Sequence, residues 1–144
     1  MKSSEVIIIG GGLAGLTAAI HLSSLGLQVT VFEKNGYPKH KVCGEYISNA
    51  VVPYLKWLKL NLDDLHPTKI NKLHFSNTDG KNITTTLPLG GIGVSRYALD
   101  DYLFQKAVEN GCQIIQGVVE NIEFCDDFFT ITTNNAQKYR SRIV

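Results

Sequence analysis

The first part of the chain alternates between short apolar runs and glycine-containing segments. Val6–Ile9 is continuously apolar, as a strand buried on both faces requires, and Val29–Phe32 repeats this pattern. Between them lie apolar and small residues at helical spacing, and Gly26 ends that helix. The pattern predicts a strand–helix–strand unit, which is typical of a parallel sheet.

The middle of the chain has a different pattern. Ile70–Ser76 and the β-branched Asn82–Leu87 flank a turn, so we expect an antiparallel hairpin belonging to a second sheet. Before it, Asn49–Lys59 is predicted to be a helix capped by Ser48. After it, Leu89–Gly93 is expected to be a flexible connection.

The last part returns to helix and strand patterns. Ser95 is expected to cap a helix whose apolar stripe is Leu99, Leu103 and Ala107, and which ends at Gly111. Strands are then predicted at Gln113–Ile115, Gly117–Phe124, Phe128–Thr133 and Gln137–Val144. The last three would form a meander leading back into the parallel sheet. Because an apolar strand begins just where the sequence stops, we expect a chain truncated at its C-terminus.

Glycines at a characteristic spacing join the first strand to its helix. Gly10, Gly12 and Gly15 follow the GxGxxG pattern, and Glu33 lies 18 positions past the third glycine. Gly10 permits a tight turn, Gly12 lets the backbone approach a pyrophosphate, and Gly15 lets the helix pack closely on the strand. Glu33 can accept hydrogen bonds from ribose hydroxyls. The whole unit predicts dinucleotide binding, with NAD and FAD both open.

Composition narrows the classes of function. The 144 residues carry a formal net charge of +1, which gives no reason to expect nucleic-acid binding. No apolar run is long enough to span a bilayer. Cys43, Cys112 and Cys125 form no CxxC pair, so free thiols in a reducing, cytoplasmic setting are expected. No metal site is predicted.

Basic residues in two parts of the chain allow more than one interpretation. The loop residues Lys39, His40 and Lys41 are either donors to a cofactor or part of a solvated loop. Arg96 in the first turn of its helix opposes the helix dipole, so it is either an ordinary surface arginine or placed for an anionic partner. Cys43 is expected to pack rather than to act as a nucleophile.

Three motifs together resemble a known family. They are the glycine motif with Glu33-Lys34, the segment KVCGEYIS at residues 41–48, and the helix with Ser95-Arg96, Asp100, Leu103, Ala107 and Gly111. The chain is similar over almost its whole length to flavoprotein oxidoreductases of the two-dinucleotide-binding-fold type. Within these it resembles the branch of geranylgeranyl-reductase-like enzymes, aromatic-ring hydroxylases and flavin-dependent halogenases.

The resemblance implies an α/β fold, a Rossmann-like FAD-binding domain with a parallel sheet, a β-meander and the first hairpin of a second antiparallel sheet. Residues 1–68 and 92–144 would form part of the FAD-binding domain, and residues 69–91 an excursion into a substrate-domain sheet. The cofactor-binding residues it implies are Gly10, Gly12, Ala14, Gly15, Glu33, Lys34, Lys41, Cys43, Gly44, Arg96 and Val119. Among these, Glu33 would hold the adenosine ribose and Val119 would meet the adenine through its backbone.

The function implied is the N-terminal, FAD-binding part of a flavin-dependent oxidoreductase whose flavin is reduced by NAD(P)H. Its substrate would be a small molecule, a lipid prenyl chain or an aromatic ring. No residue of the chain is assigned as a catalytic acid or base. The alternatives are an NAD-dependent dehydrogenase, against which the hairpin and the meander argue, and a nucleotide-binding module without catalysis.

Overall fold

A computed structural model describes residues 2–144. The strands are β1 Lys2–Ile9, β2 Val29–Glu33, β3 Tyr46–Ser48, β4 Thr68–Ser76, β5 Asn82–Gly93, β6 Gln113–Gln116, β7 Val119–Cys125, β8 Phe128–Thr133 and β9 Lys138–Ile143. The α-helices are α1 Leu13–Ser24, α2 Val52–Trp57 and α3 Arg96–Glu109. The chain divides into two compact units, residues 1–40 with 100–144 and residues 41–99. The division falls inside α3.

The first unit is built on a six-stranded sheet in the order β6-β2-β1-β9-β8-β7. β1 runs parallel to both β2 and β9, and β2 runs parallel to β6. β7, β8 and β9 form the predicted antiparallel meander. All five residues of β2 are buried, as expected for a strand with neighbours on both sides.

The core of this unit contains Ile7, Phe32, Ile131 and Tyr139. The rings of Phe32 and Tyr139 meet edge to face, with centroids 4.8 Å apart. These residues come from β1, β2, β8 and β9, so one apolar cluster joins the parallel strands to the meander. The α/β fold with a parallel sheet, a meander and a separate antiparallel sheet is confirmed.

The second unit contains a three-stranded antiparallel sheet in the order β3-β5-β4. The hairpin was predicted, but the flexible connection at Leu89–Gly93 was wrong, because β5 continues through these residues. Gly91 to Gly93 pair with β3, which lies inside a segment that the sequence indicated to be loop. A built Cβ on Gly91 would overlap the Tyr46 ring, so this glycine serves close strand packing rather than flexibility.

The predicted helix over Asn49–Lys59 is shorter than expected. Asn49–Val51 forms a 3₁₀ turn, and α2 follows at Val52–Trp57. Pro53 lies in the first turn of α2, where its missing N–H is tolerated, whereas it would interrupt a helix that began at Asn49. Ser48 does act as a cap, accepting a hydrogen bond from the Ala50 N–H at 3.2 Å.

Candidate dinucleotide-binding site

The glycine motif forms a tight turn at the carboxyl end of β1. Gly10 has φ +109°, a conformation that favours glycine, and its N–H donates to the Phe32 carbonyl at 2.8 Å. A Cβ on Gly15 would overlap the Gly10 carbonyl oxygen and lie 3.2 Å from Ile8 Cγ2. Gly15 is therefore needed for the close approach of α1 to the turn and strand, as predicted.

The start of α1 is arranged to accept an anion. Gly12 is the N-cap residue; no side chain caps the helix there, and its first turn contains no acidic residue. The first regular helix bond in this turn runs from the Leu16 N–H to the Gly12 carbonyl at 2.9 Å. Ala14 is exposed in the same turn. Helix N–H groups and the positive end of the helix dipole attract phosphate oxygens.

Glu33, at the carboxyl end of β2, is directed to the glycine turn. Its Oε2 accepts from the Gly11 N–H at 2.8 Å, and its Oε1 accepts from the Asn35 backbone N–H and side-chain amide, each at 3.0 Å. The residue is 9% exposed. The carboxylate is thus held by both the turn before it and the turn after it. Lys34 beside it is exposed.

Val119 lies in the same unit. It pairs with Thr133 at the start of β7 and packs, partly buried, against the apolar core cluster. Just before it, the Gly117 N–H donates to the Glu33 carbonyl at 2.9 Å, which ties the entry of β7 to the end of β2. The structure therefore brings Gly10, Gly12, Ala14, Gly15, Glu33, Lys34 and Val119 into one unit.

The other predicted cofactor-binding residues belong to the second unit. Glu45 connects two of its segments: its carbonyl accepts from the Val94 N–H at 3.1 Å, and its carboxylate accepts from the Arg96 N–H at 3.1 Å. The Glu45 carboxylate therefore lies at the N-terminus of α3, where it opposes the unfavourable charge of Arg96. Glu45 was missed by the sequence analysis, because only the folded loop brings it to Arg96.

Cys43 is exposed and lies beside Glu45 and Arg96. The Glu45 backbone N–H donates to its sulfur at 3.4 Å. The pKa of the Cys43 thiol is lowered mainly by this N–H and to a smaller extent by the Arg96 side chain. Cys43 was expected to pack rather than to act as a nucleophile, and the packing part of this prediction was wrong, because the residue is exposed. Lys41 is partly buried, and a Cβ on the exposed Gly44 would meet no atom within 4 Å.

An open groove of about 410 Å³ adjoins these residues within the second unit. Its lining includes Gly44, Glu45, Gly93, Val94 and Ser95. Ser95 also caps α3, as predicted, accepting from the Ala98 N–H at 3.2 Å.

Residues 2–144 contain neither a metal-binding cluster nor a membrane-spanning helix. Within this range, no group of three or more His, Cys, Asp or Glu side chains could hold a metal ion. The same residues form no helix long and apolar enough to cross a membrane.

A family comparison identifies the unit around the glycine turn. Residues 5–58 match the family described as DAO, FAD dependent oxidoreductase. These residues are similar to the FAD-dependent oxidoreductases. The match starts in β1 and contains the glycine turn, α1, β2 and Glu33. It confirms the predicted family and favours FAD over NAD as the dinucleotide.

Curated relatives of this chain belong to the predicted branches. The flavin-dependent halogenase armH1 of Armillaria mellea is 31% identical over 88% of this chain. Digeranylgeranylglycerophospholipid reductase 2 of Methanothermobacter thermautotrophicus is 33% identical over 77% of this chain. The matches cover 26% and 29% of those proteins, so the chain spans less than a third of their length.

Solved structures agree on the fold. The p-nitrophenol 4-monooxygenase PnpA of Pseudomonas putida superposes with a TM-score of 0.84 at 19% identity. The match covers 99% of this chain and 40% of that one. The fold of this chain is therefore similar to that of the monooxygenase over almost its whole length.

Proposed function

We propose that this chain is the FAD-binding part of a flavin-dependent oxidoreductase. The observation that carries the proposal is the arrangement of Glu33, Gly11 and the uncapped start of α1 at one end of the parallel sheet. Ligands of such sheets bind at the carboxyl ends of the strands. A carboxylate suited to ribose and a helix terminus suited to a pyrophosphate then lie at neighbouring strand ends.

The residues of the first unit fit the adenosine diphosphate half of FAD. The turn at Gly10 and Gly12, with Ala14 and Gly15 in α1, would hold the pyrophosphate through backbone N–H groups. Glu33 would accept from the ribose, Lys34 would lie beside it, and the Val119 backbone would meet the adenine. Four further residues are assigned by family resemblance. Lys41, Cys43 and Gly44 would lie along the diphosphate and ribityl region of FAD, and Arg96 would lie against the cofactor.

Bound FAD would supply hydride and electron transfer, and the protein would supply its binding and orientation. NAD(P)H is the proposed electron donor. The proposed substrate is a small molecule, either a prenyl lipid or an aromatic ring. The names of the reductase and the halogenase support these two classes. We place the protein in the cytoplasm, an assignment supported by the free thiols of Cys43, Cys112 and Cys125.

We further propose that residues 69–91 belong to the sheet of a substrate domain, while residues 1–68 and 92–144 serve FAD binding. The hairpin of β4 and β5 supports this assignment. Leu73, Phe75 and Ile83 are 50%, 66% and 64% exposed, and the register places all three on one face. An apolar face of this kind is suited to packing against further protein or a hydrophobic substrate.

The test is a visible spectrum of the purified intact protein, followed by titration of the apoprotein with FAD and with NAD. We expect a flavin absorption band and selective binding of FAD. Binding of NAD with no flavin band would favour a dehydrogenase instead. Oxidation of NADPH by the FAD-loaded protein, with oxygen or a prenyl lipid as acceptor, would separate an enzyme from a nucleotide-binding module without catalysis.

A further inference from the structure

The segment after β2 folds back onto the glycine turn. The Tyr37 hydroxyl donates to the Gly11 carbonyl, 26 residues earlier in the chain. Asn35 donates twice to the Glu33 carboxylate, through its backbone and its side chain, each at 3.0 Å. Neither Asn35 nor Tyr37 belongs to the dinucleotide fingerprint, yet each contacts one of its elements.

Gly11 is the point where these contacts meet. Its N–H donates to Glu33 at 2.8 Å, while its carbonyl accepts from Tyr37, so both polar groups of this buried residue are engaged by side chains. A Cβ at Gly11 would overlap the Tyr37 Oη and lie 2.9 Å from Glu33 Cβ. The requirement for glycine here comes from the protein's own side chains, whether or not a cofactor is bound.

Tyr37 is itself held in place. Its ring stacks on Phe104 in α3 with centroids 4.6 Å apart and an interplanar angle of 13°. The pKa of the Tyr37 hydroxyl is raised well above its usual value, mainly by burial and to a smaller extent by the nearby carboxylates of Glu33 and Asp100. The hydroxyl therefore keeps its proton and remains a donor to Gly11 at all physiological pH values.

We propose that Tyr37 and Asn35 are positioning residues that fix the glycine turn and the Glu33 carboxylate in the geometry that receives the FAD diphosphate and ribose. This inference rests on the proposed FAD binding. Gly11 is bonded to both side chains that contact it. Tyr37 donates to its carbonyl and fixes the orientation of that group. Its N–H donates to Glu33, whose carboxylate is held in place by Asn35. A turn fixed before binding loses less conformational freedom when the cofactor arrives, which strengthens affinity.

The test compares two Tyr-to-Phe variants of the intact protein. Tyr37→Phe removes the donor to Gly11 and keeps the ring that stacks on Phe104. Tyr139→Phe is the matched control, because its hydroxyl donates to Gln137 at 2.7 Å in the same unit, in a contact with no part of the glycine turn. With one hydrogen bond lost, we expect the Kd for FAD to rise about fivefold in Tyr37→Phe and to change less than about twofold in Tyr139→Phe.

Amide hydrogen exchange of the apoprotein supplies a readout that needs no cofactor. We expect faster exchange at residues 10–12 in Tyr37→Phe and in Asn35→Ala, but not in Tyr139→Phe. The melting temperatures of the apo forms should be similar for the two Tyr variants. A merely structural role would instead lower the melting temperature of Tyr37→Phe without a selective effect on FAD or on residues 10–12.

The outcomes separate this inference from the proposed function. If the wild-type protein binds FAD and Tyr37→Phe matches Tyr139→Phe in both affinity and exchange, the positioning role is overturned while the proposed function stands. If the wild-type apoprotein binds no FAD, the proposed function itself is overturned, and with it the inference. Asn35→Ala provides the second variant, since it removes one donor to Glu33 and leaves Tyr37 in place.

Discussion

The glycine turn of the first unit and the β4–β5 hairpin of the second are held in place by different kinds of contact. In the turn, Gly11 and Glu33 are buried and their polar groups bond to other parts of the protein. In the hairpin, every residue of β4 except Ile70 is exposed, and the two strands are joined mainly by backbone pairing. Side-chain contacts define the first region and strand register defines the second. A substitution should therefore act very differently in the two.

The largest difference is expected between two phenylalanines. Phe32 is 1% exposed in the core of the first unit, whereas Phe75 is 66% exposed on the hairpin. In the 144-residue chain, Phe32→Ala should lower the free energy of unfolding by about 3–5 kcal/mol, and Phe75→Ala by about 0.5 kcal/mol or less. Urea unfolding of both variants measures this. A markedly larger cost of Phe75→Ala in the intact protein would reveal that residues outside the 144 cover the hairpin.

A glycine pair tests how tightly the turn is packed. Gly15→Ala places a Cβ against the Gly10 backbone, which no side-chain rotation can relieve, so we expect a loss of about 3 kcal/mol in stability. Gly117→Ala is the control, because a Cβ there meets nothing within 4 Å. It should change stability by less than about 0.5 kcal/mol. Thermal unfolding that ranked the two variants equally would contradict the close approach of α1 to the turn.

A carboxylate pair tests the role of Glu33. Glu33→Ala removes the proposed ribose acceptor and leaves the Gly11 and Asn35 donors without it, so the Kd for FAD should rise by about 30-fold or more. Glu5→Ala is the control: it too removes a carboxylate that accepts a backbone N–H, from Gln28 at 2.8 Å, but at an exposed site. Fluorescence titration measures both, and an unchanged FAD affinity in Glu33→Ala would contradict the ribose role.

The smallest effect concerns two thiols. The Glu45 N–H and the Arg96 side chain lower the pKa of the exposed Cys43, whereas burial raises the pKa of Cys112. A lower pKa gives more thiolate at a given pH, so alkylation of Cys43 should reach half its maximal rate at a lower pH than a free thiol. Cys112 should react slowest. Mass spectrometry after iodoacetamide pulses at several pH values gives the rate of alkylation of each thiol as a function of pH. In Arg96→Ala, the pH at which Cys43 reaches half its maximal rate should be higher.

Sequence reasoning succeeded where the physical constraint is local. Gly10, Gly12 and Gly15 predicted a strand–turn–helix. The positive φ of Gly10 and the close backbone contact at Gly15 restrict the residue type at those two positions. The spacing of Leu99, Leu103 and Ala107 predicted the buried stripe of α3 for the same kind of reason. The family that these motifs suggested was confirmed.

It failed where the constraint comes from distant parts of the chain. Gly11 is only a spacer in the fingerprint, and its role depends on Tyr37, which returns to it after β2. Asn35-Gly36 is a typical turn sequence, so it indicates that the chain reverses after β2. It does not indicate which residues the reversed chain contacts. Leu89–Gly93 was predicted to be a flexible connection, yet these residues continue β5, and the last three of them pair with β3. The roles of Lys41, Gly44, Arg96 and Val119 toward FAD remain predictions.

The pairing of β1 with β9 has a consequence for biosynthesis. Lys2 is aligned with Tyr139 and Val6 with Ile143, so one side of the strand that leads into the glycine turn has its partner near the other end of the sequence. A ribosome adding about 5–20 residues per second needs roughly 6–27 seconds to reach β9 after making β1. During that interval the nascent β1 presents an open edge to other chains and to chaperones. The six-stranded sheet of this unit is therefore completed only after β9 has been made.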